Sequence, residues 1–189
     1  MTSRATEEPD YKVVEKLDDV EIRDYPAYVV AEVSVTGSGE DAGSKAFPIL
    51  AGYIFGKNKG SRKLEMTAPV TQSAEPVKFA MTAPVIQSAQ SNGYAVQFVL
   101  PKYVTLATAP VPLDERVKLR EVASQRVAVI RYAGFWSEAN YQRHLLTLQA
   151  ALKSAKLTAQ GEPIYARYDA PFVPWFLRRN EIWLQLVKP

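Results

Sequence analysis

Along most of this chain apolar residues recur every second position, and in two stretches the period lengthens towards 3.6. Val20 and Ile22 alternate with Glu21 and Arg23, and the β-branched run Tyr28-Val-Val-Ala-Glu-Val-Ser-Val35 follows beyond Pro26. Both read as strands, and strand character begins at Tyr11. Residues 40–55 read as a helix, because Ala42, Ala46, Ile49, Leu50 and Tyr53 fall on one face. Pro48 predicts a kink or a late start. Strands are predicted at 76–86 and 94–100, around a turn at Gln90-Ser-Asn-Gly93. Two more follow at 117–123 and 126–132. A second helix starts at Ser137, an N-cap residue, runs to Lys156, and buries Tyr141, Leu145, Leu148 and Leu152. Strands at 164–168 and 181–187 complete the order.

That order is strands, helix, strands, and then the same again. It predicts two β-α-β-β units pairing through one antiparallel sheet, a single α+β domain over residues 11–189 behind a disordered polar tail at 1–10. The connector with Pro101, Pro110 and Pro112 is too short and too apolar for a domain linker. Met66-Thr-Ala-Pro-Val-Thr-Gln-Ser-Ala74 recurs with one change at 81–89. Two copies do not make a solenoid. They read as a local strand duplication, or as a pair of methionines lining a pocket.

Composition narrows the chemistry. The 189 residues are 47% hydrophobic and 23% charged, which is globular rather than disordered. There is no Cys and one His, so thiolate zinc, iron–sulfur and multi-histidine sites are excluded. Lys and Arg total 23 against 20 Asp and Glu, too small a surplus for a nucleic-acid binder. No run is long enough for a membrane span, and the polar start carries no secretory h-region, so the expected compartment is the cytoplasm. Nucleophile elbow, P-loop and dinucleotide motifs are all absent, and no catalytic residue is assigned.

Two surfaces invite a ligand. The first helix carries a second apolar side, Phe47, Ala51, Ile54 and Phe55, where a surface helix normally shows polar residues. Either loops cover that side or a lipophilic ligand does. The segment Ala170-Pro-Phe-Val-Pro-Trp-Phe-Leu177 sets Phe172, Trp175 and Phe176 beside Arg178 and Arg179. It is either tucked into the core or lines a flat ligand. The arginines, with Lys57, Lys59, Arg62 and Lys63, could receive carboxylates at the ligand's rim. Flat aromatic surface with rim cations suits an anionic tetrapyrrole, and suits other amphipathic anions as well.

Several segments together resemble the SOUL haem-binding family, above all its bacterial members. They are Tyr11-Lys-Val-Val-Glu-Lys-Leu17, Val20-Glu-Ile-Arg-Asp-Tyr25, Lys63-Leu-Glu-Met-Thr-Ala-Pro-Val70 and Val127-Ala-Val-Ile-Arg-Tyr-Ala-Gly-Phe135. The most specific are Tyr165-Ala-Arg-Tyr-Asp-Ala-Pro-Phe172 and Arg179-Asn-Glu-Ile-Trp183. The resemblance implies a pseudo-twofold, distorted antiparallel barrel or sheet of eight to nine strands with two helices. It also implies non-covalent binding, buffering or transport of haem and related tetrapyrroles, without catalysis, in a cleft beside the first helix and near the loop before the last strand. Carried over by position, the ligand-binding residues on the helix are Phe47, Ala51 and Tyr53. The apolar surfaces read above add Ile54 and Phe55 on the helix and Phe172, Trp175, Phe176 and Arg178 on the loop, and Lys45 is the candidate cation on the helix. The histidine that some animal members carry in Glu-Ile-Arg-x-Tyr is Asp24 here, so that ligation cannot operate. A basic residue of some members is Ser44 here, with Lys45 adjacent. Tyr53 is the better iron-ligand candidate, and His144, on the second helix, is expected to be away from the site. The same architecture resembles GyrI-like domains, so a small-molecule effector or inhibitor module is the rival reading, and a hydrolase using Glu181 is a third.

Overall fold

The computed structural model describes residues 7–60, 76–169 and 172–187. The elements run β1 (Lys12–Leu17), β2 (Val20–Tyr25), β3 (Tyr28–Val35), α1 (Gly39–Ile54), β4 (Asn58–Lys59), β5 (Val85–Gln90) and β6 (Gly93–Val99). They continue with β7 (Val111–Pro112), β8 (Lys118–Val122), β9 (Gln125–Tyr132), α2 (Glu138–Ser154), β10 (Ala159–Arg167) and β11 (Asn180–Leu186). Nine strands form one antiparallel sheet in the order β1-β2-β9-β11-β10-β5-β6-β3-β8, and β4 pairs with β7.

The order contains a twofold. β5-β6-β3-β8 carries α1 after β3, and β10-β11-β9-β2 carries α2 after β9. The halves join where β5 pairs with β10, Gln87 opposite Tyr165 and Ile86 opposite Ala166. Sequence neighbours β2 and β3 lie near opposite edges of the sheet, yet only Pro26 and Ala27 connect them, a link that reaches about 10 Å. The sheet therefore curls towards a barrel, and Tyr25 and Tyr28 meet with ring centroids 6.5 Å apart. It does not close, because β1 and β8 remain edges.

Both helices lie on one face. Ala42, Ala46 and Leu50 of α1 pack on Ala31, Val33, Val96 and Phe98, and Leu145, Leu148 and Leu152 of α2 pack on Ile22, Ala128, Ile130 and Ile182. The helix-free face holds a third cluster around Trp183, Val30, Ile86 and Val129. Ser38 and Ser137 cap the helices through their side-chain oxygens, and α1 continues through Pro48. Gly93 follows the β5–β6 turn at φ +141°, and a Cβ there would stand 2.1 Å from the Val35 carbonyl oxygen.

Three sequence expectations change. Residues 76–84 are not strand: Asn58 Oδ1 accepts from the Val77 N–H (2.9 Å) and the Ile54 carbonyl from the Phe79 N–H (2.9 Å), which pins this stretch under the end of α1. β10 begins at Ala159 rather than 164, because an irregularity between Gln160 and Ile164 absorbs Gly161 and Pro163. The end of the polar tail is docked: Asp10 pairs with Lys102 (2.6 Å) and Glu8 with Arg179 (3.0 Å). Residues 1–6, the first copy of the repeat at 66–74, Arg62, Lys63, Ala170 and Pro171 lie outside the described residues. No helix among the described residues is long and apolar enough to cross a membrane.

Candidate ligand-binding surface

The second apolar side of α1 is largely covered by loops. Ala51, Tyr53 and Ile54 are buried in a cluster with Phe79, Val104 and Ala109, so they are not an open cleft wall. Tyr53 donates its hydroxyl to the Pro110 carbonyl (3.0 Å) and is fully enclosed, which leaves no iron-binding position on that oxygen. Phe47 stays 43% exposed with its edge against Phe98, and Phe55 is exposed beyond the last turn. Lys45 turns back, donating to the Thr36 carbonyl (3.1 Å).

The described part of the proline-rich loop is on the surface. Phe172 is 88% exposed, Trp175 49% and Phe176 59%. Trp175 stacks on Phe135 (centroids 5.2 Å apart), and Phe176 meets Trp175 edge-on (5.5 Å). Arg178 donates from Nε to the Val173 carbonyl (2.8 Å), and its guanidinium lies 4.7 Å over the Trp136 ring. Arg167 lies over the same ring at 4.7 Å. A Cβ on Gly43 would come within 2.8 Å of the Arg167 Nη1, so this guanidinium lies against α1 at a position that has no side chain. A chain of contacts thus runs from α1 through Arg167, Trp136 and Arg178 to the aromatic loop. Phe55, twelve residues beyond Gly43, lies about 18 Å farther along the helix and does not join it.

Between the helix N-termini, over β5 and β10, lies a narrow cleft bounded by Gly39, Gln87, Trp136, Glu138, Tyr141 and Tyr165. Tyr141 and Tyr165 stack at 3.6 Å. Burial raises the Tyr141 hydroxyl to about 12, so the walls stay neutral phenols at physiological pH. Gln87 is buried; its Nε2 donates to the Gly39 carbonyl (2.7 Å), and its Oε1 has no partner among the described residues. The cleft holds about 20 Å³, room for a water and not for a tetrapyrrole. His144 stacks on Tyr132 (4.3 Å) behind this cleft, with Nδ1 2.7 Å from the Asn140 carbonyl. That carbonyl accepts, so Nδ1 carries the proton. Among the described residues no cluster of three metal-ligating side chains occurs.

Glu181 is not a general base. Its side chain is fully buried and accepts from Arg23 (2.9 Å), Arg179 (2.9 Å), Tyr168 (2.8 Å) and Trp183 (2.8 Å). Burial raises its pKa, but the Arg23 and Arg179 charges outweigh burial and hold it below the usual carboxylate value. A saturated, enclosed carboxylate reaches no substrate proton, so the hydrolase reading based on Glu181 fails on geometry.

Sequence reasoning missed Phe135, Trp136, Arg167 and Gln87 as parts of this surface. The adjacent aromatics just before the Ser137 cap were the available signal for the first two. Arg167 and Gln87 become visible only once β5 and β10 are paired.

Comparison with known proteins gives a consistent answer. The chain is 33% identical to "Heme-binding protein 1" of Mus musculus over 156 residues, covering 82% of this chain and 77% of that one. It is 31% identical to "Heme-binding protein 2" of Homo sapiens over 188 residues, covering 96% and 87%. In fold it is similar to the C-terminal domain of EcmrR (TM-score 0.62, 9% identity, 95% and 99% covered) and to a hydrolase from Listeria innocua (0.59, 12%, 92% and 94%). The fold is thus the GyrI-like one, as an open nine-stranded sheet. The SOUL heme-binding protein model matches residues 6–185, and the chain belongs to that family.

Proposed function

We propose that this protein binds haem or a related tetrapyrrole non-covalently, as a buffer or carrier without catalytic activity, on the face formed by Phe172, Trp175, Phe176 and Arg178 and continued by Arg167 and Phe47. The observation that carries the reading is the exposed aromatic loop of a chain in a haem-binding family. Contiguous exposed aromatic surface of this kind usually marks a partner or ligand. A flat macrocycle covers rings of this orientation without needing an enclosed pocket, and the two guanidinium groups stand where its carboxylates would reach. Ala51, Tyr53 and Ile54 support the Phe47 turn from behind rather than touching the ligand. Contact is through packing, with no axial ligand from Tyr53 or His144.

The test is a haemin titration read by the Soret band and by quenching of tryptophan emission, with an unrelated basic protein as control. Saturation near one haemin per chain, accompanied by quenching, is the expected result. A spectrum indistinguishable from that of the control protein would remove the reading.

A second reading has its own observation. The cleft between the helices has aromatic walls, a carboxylate at Glu138 and, at Gln87 Oε1, a buried acceptor without a partner among the described residues. This suits a small effector with an N–H donor, with Arg167 swung aside. Saturable binding of an aromatic amidine that is lost in Gln87→Leu, with haemin ignored, would favour this alternative.

A further inference from the structure

The two sequence segments Val20–Tyr25 and Arg179–Trp183 play no part in the aromatic surface. They meet on the helix-free face, around one carboxylate. Arg23 of β2 reaches Glu181 of β11 across β9, and the Arg23 Nη1 also lies 3.3 Å from the Tyr25 hydroxyl. Trp183, on the same strand, donates its indole N–H to Glu181. The remaining donors to Glu181 come from Tyr168 and Arg179, the residues at the two stems of the aromatic loop.

The stems are also tied to each other. The Tyr168 N–H donates to the Arg179 carbonyl (3.2 Å), and Asp169 Oδ2 accepts from the Arg179 N–H (2.6 Å). The Arg179 guanidinium stacks over the Tyr168 ring at 3.7 Å and continues to Glu8. The exposed rings at the loop's tip cannot be oriented by core burial. Their position is inherited from the stems and from the Phe135 and Trp136 contacts.

We propose that Glu181 is a positioning residue for the aromatic loop: by holding Tyr168 and Arg179 together it sets how Phe172, Trp175 and Phe176 are presented. The consequence for affinity rests on the haem reading; the consequence for loop order does not. Losing the carboxylate leaves the buried Arg23 and the half-buried Arg179 without their shared counter-charge, and they separate.

The test is hydrogen exchange of the ligand-free protein, comparing wild type with Glu181→Gln, together with haemin titrations. Exchange in the peptide spanning 172–178 should accelerate at least tenfold, while peptides from α2 stay unchanged. Haemin affinity should fall about tenfold in Glu181→Gln, and less than twofold when Phe172 and Phe176 are already Ser, because the effect runs through those rings. Should Glu181→Gln not fold, Tyr168→Phe removes a single donor and should give a smaller acceleration in the same peptide. Unchanged exchange at 172–178 in a folded variant overturns the proposal, as do additive losses in the combined variant. Accelerated exchange in a protein whose wild type ignores haemin upholds the positioning role and rejects the haem reading.

Discussion

Replacing Phe172 and Phe176 by Ser tests the proposed ligand surface where its energetics are simplest. A phenylalanine side chain offers roughly 200 Å² when fully open. Phe172 is 88% exposed and Phe176 59%, so roughly 180 and 120 Å² face solvent, and a planar ligand covers about half of each. At about 25 cal/mol per Å² that amounts to ~2.2 kcal/mol for Phe172 and ~1.5 kcal/mol for Phe176. These correspond to losses of about forty-fold and about twelve-fold in haemin affinity. The two rings share one ligand face, so their effects are coupled, and the double variant should lose at least about forty-fold. Neither ring is buried, and the thermal midpoint should change by less than about 0.5 kcal/mol equivalent. The assay is a Soret titration of both proteins beside a melting curve. A double variant that melts like the wild type and binds haemin within twofold of it would show that the macrocycle does not lie on this loop.

Other expectations follow from the same geometry. The Glu181 carboxyl titrates below its ordinary value because the Arg23 and Arg179 charges outweigh its burial. Its contribution is therefore complete above the ordinary carboxylate pKa and is lost as pH falls through the lower folded value, so urea midpoints should drop on acidification below about pH 4. Glu181→Gln should flatten that drop. His144→Ala should leave the haemin spectrum and affinity nearly unchanged, since its ring lies behind Tyr132; a lost Soret shift in a folded variant would place the iron on α2. Tyr53→Phe breaks the hydroxyl's bond to the Pro110 carbonyl, which should lower stability by about 1 kcal/mol in denaturant titrations and leave the Soret band unmoved. Leu148→Ala empties a fully buried site between α2 and the sheet, and chemical denaturation should report a loss of about 3–5 kcal/mol.

The fold was legible because its signals are local. The apolar stripe and serine cap of α2 put its start at Ser137, within a residue of the observed Glu138, and the Asn-Gly step located the β5–β6 turn. The errors share a physical cause, because each needed a tertiary partner that periodicity cannot show. Residues 76–84 look strand-like but give backbone bonds to Asn58 and Ile54. Ala51 and Ile54 look like an open stripe until the loop bearing Val104 and Ala109 folds over them. Glu181 looks like an isolated acid because Arg23, its main counter-charge, is 158 residues away.

The alternation of β2 was misleading for a reason that also explains how the molecule divides its tasks. Polar Arg23 alternates with apolar Ile22, which in a one-sided sheet would put the arginine in water. Here both faces are covered, one by the helices and the other by the sheet's own curl, so Arg23 is buried as deeply as Ile22. A buried guanidinium must be matched, and Glu181 matches it. The same carboxylate binds Tyr168 and Arg179, which lie where β10 leaves the sheet and β11 re-enters it. The helix face is free to be apolar, and the aromatic loop is free to project, because the charges that fix the loop's stems are on the other side of the sheet. The rings that suit a ligand and the ion cluster that holds their frame are thus different residues on different faces. Substitutions in the first should change affinity with stability intact, and substitutions in the second should move loop order and acid stability together.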